Sequence, residues 1–231
     1  MSKVYSNILD MVGNTPLLKI NNIDTGICEL FVKLENLNPG GSIKDRVGLQ
    51  MIEDAEKNGS LNKGGTIVEC TAGNTGLGLA LAAKLKGYKL ILVIPDKMSQ
   101  EKIDMLKSYG AEVIVTETAL DHHHPDSYVE VAKRVARETP GAFYTDQYSN
   151  PHNPEAHYVS TGPEIWEATD GKIDSFVAGL GTGGTISGTG KYLKEKAAEA
   201  GRQVRVVGPD PYGSIYKEAH EKGEWSEPSL Y

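Results

Sequence analysis

The chain has 231 residues, 39% of them hydrophobic and 24% charged, with a formal charge of −7 from 24 Lys and Arg against 31 Asp and Glu. That is the make-up of a folded globular protein, in one large domain or two small ones. No run approaches the roughly 18 apolar residues of a membrane span, the opening MSKVYSNILD has no apolar signal core, and a net acidic chain is a poor candidate for sequence-independent nucleic-acid binding. The two cysteines, Cys28 and Cys70, form no C-x-x-C. They argue against a disulfide scaffold or zinc knuckle, fit a reducing cytoplasm, and are expected to be buried thiols.

The first informative segment is 38–45, NPGGSIKD. Pro-Gly-Gly forces a turn. Ser42 is predicted to start a helix, with Asp45 three residues on as a capping-box-like partner. Val47, Met51, Ile52 and Ala55 make its apolar stripe, and Asn58-Gly59 stop it. Lys44 falls in the first turn, where the helix dipole is positive and a cation is out of place. It is either a solvated lysine or one whose pKa is lowered, able to form a Schiff base. A strand is predicted at 66–70 (TIVEC), followed at once by the glycine cluster Thr71-Ala72-Gly73-Asn74-Thr75-Gly76-Leu77-Gly78. Small residues at a helix start let backbone N–H groups converge on an anion, although Asn74 and Thr75 could equally cap the helix.

The window 77–85 is apolar nearly all round, as a buried helix can be. A strand at 90–94 follows, then a helix at 102–109 closed by Gly110, and a strand at 112–115. Asp121-His122-His123-His124-Pro125 reads as a loop; adjacent side chains diverge, so no metal site is expected there. Ser127 precedes a helix at 128–138, and strands are predicted at 142–144, 175–178 and 204–207. His157 lies in a helical stretch, 153–169, as a packing or capping residue. A glycine-rich turn, Gly179-Leu180-Gly181-Thr182-Gly183-Gly184-Thr185, leads into a helix over 184–196 and has the features of a phosphate cradle. Gly179, Gly181 and Gly184 also satisfy G-x-G-x-x-G, which opens a dinucleotide reading. That reading wants an acid roughly 20 residues on. Asp210 stands 26 residues past Gly184 with Pro on both sides. The β-α alternation predicts a parallel sheet with right-handed crossovers, and there is no sequence repeat.

Together these segments resemble the fold-type II, pyridoxal-phosphate-dependent β-replacement enzymes, the cystathionine β-synthase and cysteine synthase family. The resemblance runs from Gly13-Asn14-Thr15-Pro16-Leu17 to the end of the chain and rests on GSIKDR (41–46), TAGNTG (71–76), QYSNPHNPEAHY (147–158) and GTGGT (181–185). It implies pyridoxal 5'-phosphate as cofactor and a tryptophan synthase β-like α/β fold. That fold has two doubly wound three-layer domains with the cofactor in the cleft between them. The smaller, mobile domain would be 46–146; the larger would combine 1–45 with 147–231 and lack its C-terminal part, since family members continue past Tyr231. By the same resemblance Lys44 is the Schiff-base lysine, Asn74 bonds the cofactor's ring hydroxyl, and Gly181, Thr182, Gly183, Gly184 and Thr185 hold its phosphate. Thr71, Ala72, Gly73 and Thr75, with Gln147, Tyr148 and Gly213, would line the amino-acid site.

The stretches 101–118, 145–158 and 208–215 are more similar to cystathionine β-synthases than to cysteine synthases. The implied reaction replaces the β-substituent of serine or O-acetylserine by a thiol, with homocysteine giving cystathionine by way of an aminoacrylate. Sulfide as the thiol, a cysteine synthase, is the alternative within that chemistry. An NAD-dependent dehydrogenase and a non-catalytic scaffold are those outside it. A homodimer acting on small molecules is expected, without haem, metal, nucleic acid or membrane. Ala72 stands where the family pattern usually has Ser, and some bacterial relatives that make cystathionine from O-acetylserine share TAGNTG. A missing hydroxyl there predicts a preference for O-acetylserine, because hydroxide is a far stronger base than acetate and harder to expel.

Overall fold

The computed structural model describes residues 4–118, 120 and 124–224. Two antiparallel strands, β1 (Leu17–Ile20) and β2 (Leu30–Lys33), form a hairpin that the sequence reading missed. Cys28 lies in its connection and is exposed, correcting the expectation of a buried thiol; Cys70 is buried. α1 (Lys44–Asn58) follows. β3 (Thr66–Cys70), β4 (Lys89–Pro95), β5 (Glu112–Thr116) and β6 (Phe143–Tyr144) make a four-stranded parallel sheet in the order β5-β4-β3-β6. The central strands β3 and β4 are mostly apolar because both faces are covered. Ile67, Leu92 and Ile94 pack with Met51 and Ile52 of α1, Leu79 of α2 (Asn74–Lys86) and Leu106 of α3 (Gln100–Ser108). Their neighbours Val68 and Val93 face the other way, onto Val131 and Ala132 of α4 (Tyr128–Glu138).

The chain builds outward from β3 through β4 to β5, then returns to the far side of β3 for β6. The reversal between β3 and β6, which pair directly, is therefore a topological switch point, the position at which such sheets bind ligands. α5 (His152–Ala156), a π-helical turn (His157–Thr161) and α6 (Gly162–Ala168) run on without interruption, so the helical stretch predicted from 153 is three segments. β7 (Ser175–Val177) and β8 (Arg205–Val207) pair in parallel, joined by α7 (Gly184–Glu199), and α8 (Tyr216–Lys222) follows. Ile165, Leu193, Ala197 and Val204 form the small core of this half.

Lys44 owes its placement to two features of α1. The first is the crossing of α1 and α2. A Cβ at Gly78 would collide with the Lys44 carbonyl, and one at Gly48 with the Gly78 backbone, so the helices touch main chain to main chain. The second is the helix start. Ser42 Oγ accepts from the Lys44 N–H at 3.2 Å, but Asp45 accepts from the Gly40 N–H instead of closing on Ser42. The capping-box expectation is thus corrected: the cap is Ile43 with no side-chain cap bond, and the Asp45 carboxylate is taken by the Gly40 amide of the turn at 38–41.

Arg46, 4% exposed, anchors this start. Its Nε and Nη2 donate to the two oxygens of Glu35, both at 2.8 Å, and its Nη1 and Nη2 donate to those of Glu164 at 2.6 and 2.8 Å. Lys33 Nζ adds a bond to Glu164 at 2.6 Å, and the Thr15 hydroxyl donates to Glu35 at 2.5 Å. Burial opposes charge on Glu164, but Arg46 and Lys33 outweigh it and hold its carboxyl down at about 2. A lysine cannot serve two carboxylates with paired donors. Arg46→Lys should therefore lower stability by about 3 kcal/mol, as removal of one partner from a buried ion network does. Urea unfolding of the two proteins side by side measures it.

Candidate active site

Lys44 stands at the head of α1, half-buried, and its Nζ donates to Thr182 Oγ1 at 3.3 Å. Thr182 also accepts from Asn153 Nδ2 at 2.8 Å. Burial lowers the Lys44 pKa, with the Glu69 carboxylate pulling the other way. The direction of the burial effect favours the free amine. The predicted lysine and the third glycine cluster, 138 residues apart in sequence, thus meet in space.

At the carboxyl end of β3 the chain turns through 71–73 into α2. Thr71 is buried, and its Oγ1 accepts from the Gly73 N–H at 3.1 Å. Gly73 is the helix cap and no side chain caps it, so neither Asn74 nor Thr75 has the capping role open to it in the sequence. Asn74 is exposed at the first residue of α2. Thr75 is buried and donates to Gln147 Oε1 at 2.6 Å, while Gln147 Nε2 donates to the Cys70 carbonyl at 3.3 Å. The two switch-point loops are thereby tied to each other. Ala72 is exposed, and a Cβ at Gly73 would meet nothing within 4 Å. Tyr148 is 59% exposed at the rim of a cleft of about 150 Å³ shared with Gln147, Asn153, Thr182, Gly183 and Gly184.

A residue the sequence reading passed over lies under both loops. Glu69 is fully buried and accepts from the Cys70 N–H at 2.9 Å, the Thr145 hydroxyl at 2.5 Å and the Gln147 N–H at 3.2 Å. Burial pushes its carboxyl up to about 7 against the pull of these donors. An acid at the end of an otherwise apolar strand, directly before a glycine cluster, was the signal that could have found it.

The glycine-rich turn after β7 opens α7. Gly183 caps the helix with φ 80°, a left-handed conformation that favours glycine. A Cβ at Gly184 would strike the Asn153 side chain, whereas one at Gly179 or Gly181 would meet nothing within 4 Å. Part of this turn is packed and part of it faces open space at the N-terminus of a helix of 16 residues. With the Thr182 and Thr185 hydroxyls beside it, the turn fits a phosphate group. Gly213 lies in the turn before α8, whose Tyr216 hydroxyl donates to the Gly181 carbonyl. Asp210 accepts from the Lys217 N–H at 3.0 Å, so a carboxylate oxygen that the dinucleotide reading wants for a ribose is engaged at the start of α8.

His122 and His123 lie outside the described residues. His124 accepts from the Asp126 N–H at 3.1 Å, and among the described residues no His, Cys, Asp and Glu group could hold a metal ion. No helix among them is long and apolar enough to cross a membrane. A larger recess, of about 430 Å³, lies at the amino ends of β3, β4 and β5, the opposite edge of the sheet from the loop ends at 71–73 and 147, and brings none of the predicted residues together.

The chain belongs to the family of pyridoxal-phosphate dependent enzymes, whose model matches residues 8–228. It is 50% identical over 217 residues to a cystathionine β-synthase of Apis mellifera, covering 93% of this chain and 42% of that protein. It is 46% identical over 214 residues to cysteine synthase 1 of Neurospora crassa, covering 92% of this chain and 56% of that one. Among solved structures, an O-acetylserine dependent cystathionine β-synthase from Helicobacter pylori matches with a TM-score of 0.86 and 37% identity, over 100% of this chain and 72% of that chain. A hydrogen sulfide-producing enzyme from Fusobacterium nucleatum has the same TM-score at 41% identity, over 98% and 71%. The chain therefore spans less than half the length of the bee protein and under three quarters of the two solved chains.

Glu69 carries a pH signature. Its folded pKa lies above the unfolded value, so its contribution to stability is present at low pH and is lost as pH rises through about 7. Between about pH 5 and about pH 7 this group alone should remove about 2 kcal/mol of stability. Glu69→Gln should show a shallower decline over that window than the parent, read from urea midpoints at successive pH values.

Proposed function

We propose that this chain carries out pyridoxal-phosphate-dependent β-replacement, in which a thiol takes the place of the hydroxyl of serine or the acetoxy group of O-acetylserine. The observation that carries it is the juxtaposition of Lys44 Nζ with the Thr182 hydroxyl of the glycine-rich turn, which lines one cleft together with Gln147 and Tyr148. The turn at 181–185 supplies amides and hydroxyls for the cofactor's phosphate. Asn74, exposed at the start of α2, is assigned to its ring hydroxyl. The turn at 71–75 with Gln147 and Tyr148 is assigned to the substrate carboxylate, a second anion held by main-chain donors. When bound, the cofactor supplies an electron sink for charge developed at the substrate Cα. Lys44 Nζ, partly desolvated, takes the Cα proton and returns it after the thiol has added at Cβ. Movement of 46–146 over the cleft is assigned the exclusion of water.

Homocysteine as the thiol, with cystathionine as product, is supported by the cystathionine β-synthase named above at 50% identity. Sulfide, giving cysteine, is the second reading, favoured by the cysteine synthase at 46% identity. Borohydride reduction with pyridoxal phosphate followed by peptide mapping tests the lysine. The cofactor should appear on the peptide containing Lys44, and Lys44→Ala should lose both this adduct and turnover. An adduct confined to another lysine removes the assignment.

The donor is tested at Ala72. The side chain is exposed in the 71–73 turn and cannot donate a hydrogen bond to a substrate there. Loss of one such contact costs about one decade in rate or somewhat more. O-acetylserine should therefore exceed serine in kcat/KM with homocysteine by at least that factor, and Ala72→Ser should narrow the gap. Equal values for the two donors in the parent would end this reading. Product analysis with homocysteine and sulfide in separate assays decides the acceptor.

A further inference from the structure

His157 sits on the π-helical turn between α5 and α6, fully buried, with both ring nitrogens engaged. Nδ1 lies 3.0 Å from Thr161 Oγ1, and Nε2 lies 3.2 Å from Thr185 Oγ1. A π turn widens the helix locally and re-aims the side chains on it. α7 is pressed against this turn: a Cβ at Gly188 would strike the Pro154 carbonyl and come within 3.0 Å of His157 Cβ. The glycine therefore lets the ring approach Thr185. Burial, reinforced by the nearby cations Lys44 and Arg46 and opposed by Glu35, pulls the His157 pKa down to about 3, so the ring is neutral.

A neutral imidazole has one N–H and one bare nitrogen, so it donates one of its two bonds and accepts the other. Two directions are open. If the proton is on Nδ1, the ring donates to Thr161 and accepts from Thr185, which uses the only proton of the Thr185 hydroxyl. If it is on Nε2, Thr161 donates to the ring, the ring donates to Thr185, and the Thr185 proton is left for a further acceptor. Among the described residues the Thr185 hydroxyl has no other partner. A phosphate oxygen accepts and selects the second direction.

We propose that Thr161 and His157 are positioning residues for the glycine-rich turn: a directed hydrogen-bond chain, Thr161 to His157 to Thr185, aims the Thr185 hydroxyl proton at a bound phosphate. This rests on the reading of 181–185 as the phosphate cradle. Thr161 is 2% exposed and reaches the turn only through the ring. A preorganised donor of this kind does not have to be reoriented when the anion arrives.

The experiment measures pyridoxal phosphate dissociation constants, by fluorescence titration, for the parent, Thr161→Val, Thr185→Val and the double variant. Valine keeps the shape of threonine and removes the hydroxyl. Thr161→Val should weaken binding about threefold to tenfold, the worth of one hydrogen bond, and should add nothing in the Thr185→Val background. Nitrogen-15 NMR of the histidine-labelled, cofactor-bound parent should show His157 protonated on Nε2, and Thr161→Val should change that tautomer population. Unchanged affinity in Thr161→Val, multiplicative losses in the double variant, or an Nδ1–H tautomer in the bound parent overturns the chain. Gly181→Ala separates the two readings, because its Cβ meets no protein atom within 4 Å. If Gly181→Ala and Thr185→Val both leave affinity unchanged, the cradle fails and the chain with it. If both weaken it and Thr161→Val does not, the cradle stands and only the chain fails.

Discussion

One guanidinium holds this half of the molecule in register. Arg46 is two residues beyond Lys44 and bridges carboxylates from Glu35 and Glu164, which are 129 positions apart in the chain. The Gly13 and Asn14 amides join the same cluster, donating to Asn38 at 2.8 Å and to Glu164 at 2.9 Å. With Lys33, four charged groups are largely held out of water here, and such a cluster is stable only while its hydrogen bonds are complete. The cluster therefore acts less as a source of net stability than as a constraint on direction, in that α1 can start in only one orientation. Everything assigned to Lys44 depends on that orientation, since its amine must leave the first turn toward Thr182.

A second constraint is topological. Because β6 returns to the far side of β3 and pairs with it, the loops that leave these two strands meet at one end of the sheet. Thr75, Gln147 and the buried Glu69 join those loops with side-chain and main-chain bonds. The result is a pair of turns braced against each other from within. A strained residue sits in the same place: Asp146, between Thr145 and Gln147, has φ 44°. A non-glycine residue in that region persists only where its surroundings over-determine it.

Much of this was legible in the residues themselves. The strand at 66–70 and the helix at 128–138 were found at their full limits, the first as a short apolar run ending at a glycine cluster, the second from the helical spacing of Val131 and Val135 after Ser127. The glycine clusters announced turns, and the family motifs announced which turns belong together. The hairpin at 17–33 was not legible: its residues are half-buried or exposed with no clean alternation, so there was no period to read. The Glu164 partner of Arg46 was hidden for another reason. A salt bridge spanning more than a hundred residues leaves no local pattern. Asp45 shows the limit of spacing rules, since the right residue at the right offset turned to a different amide.

Four glycines of the turn after β7 and of α7 fall into two kinds. At 184 and 188 the missing side chain is filled by a neighbouring segment; at 179 and 181 it is filled by nothing. Random drift would erode the two kinds by separate routes. Changes at the first pair are lost through misassembly, as insoluble or degraded chain. Changes at the second leave an intact and abundant protein whose defect is visible only when it is offered its ligand. Colour and yield would then vary independently across a library of natural variants, and sorting by expression level alone would retain a population of well-folded, colourless molecules.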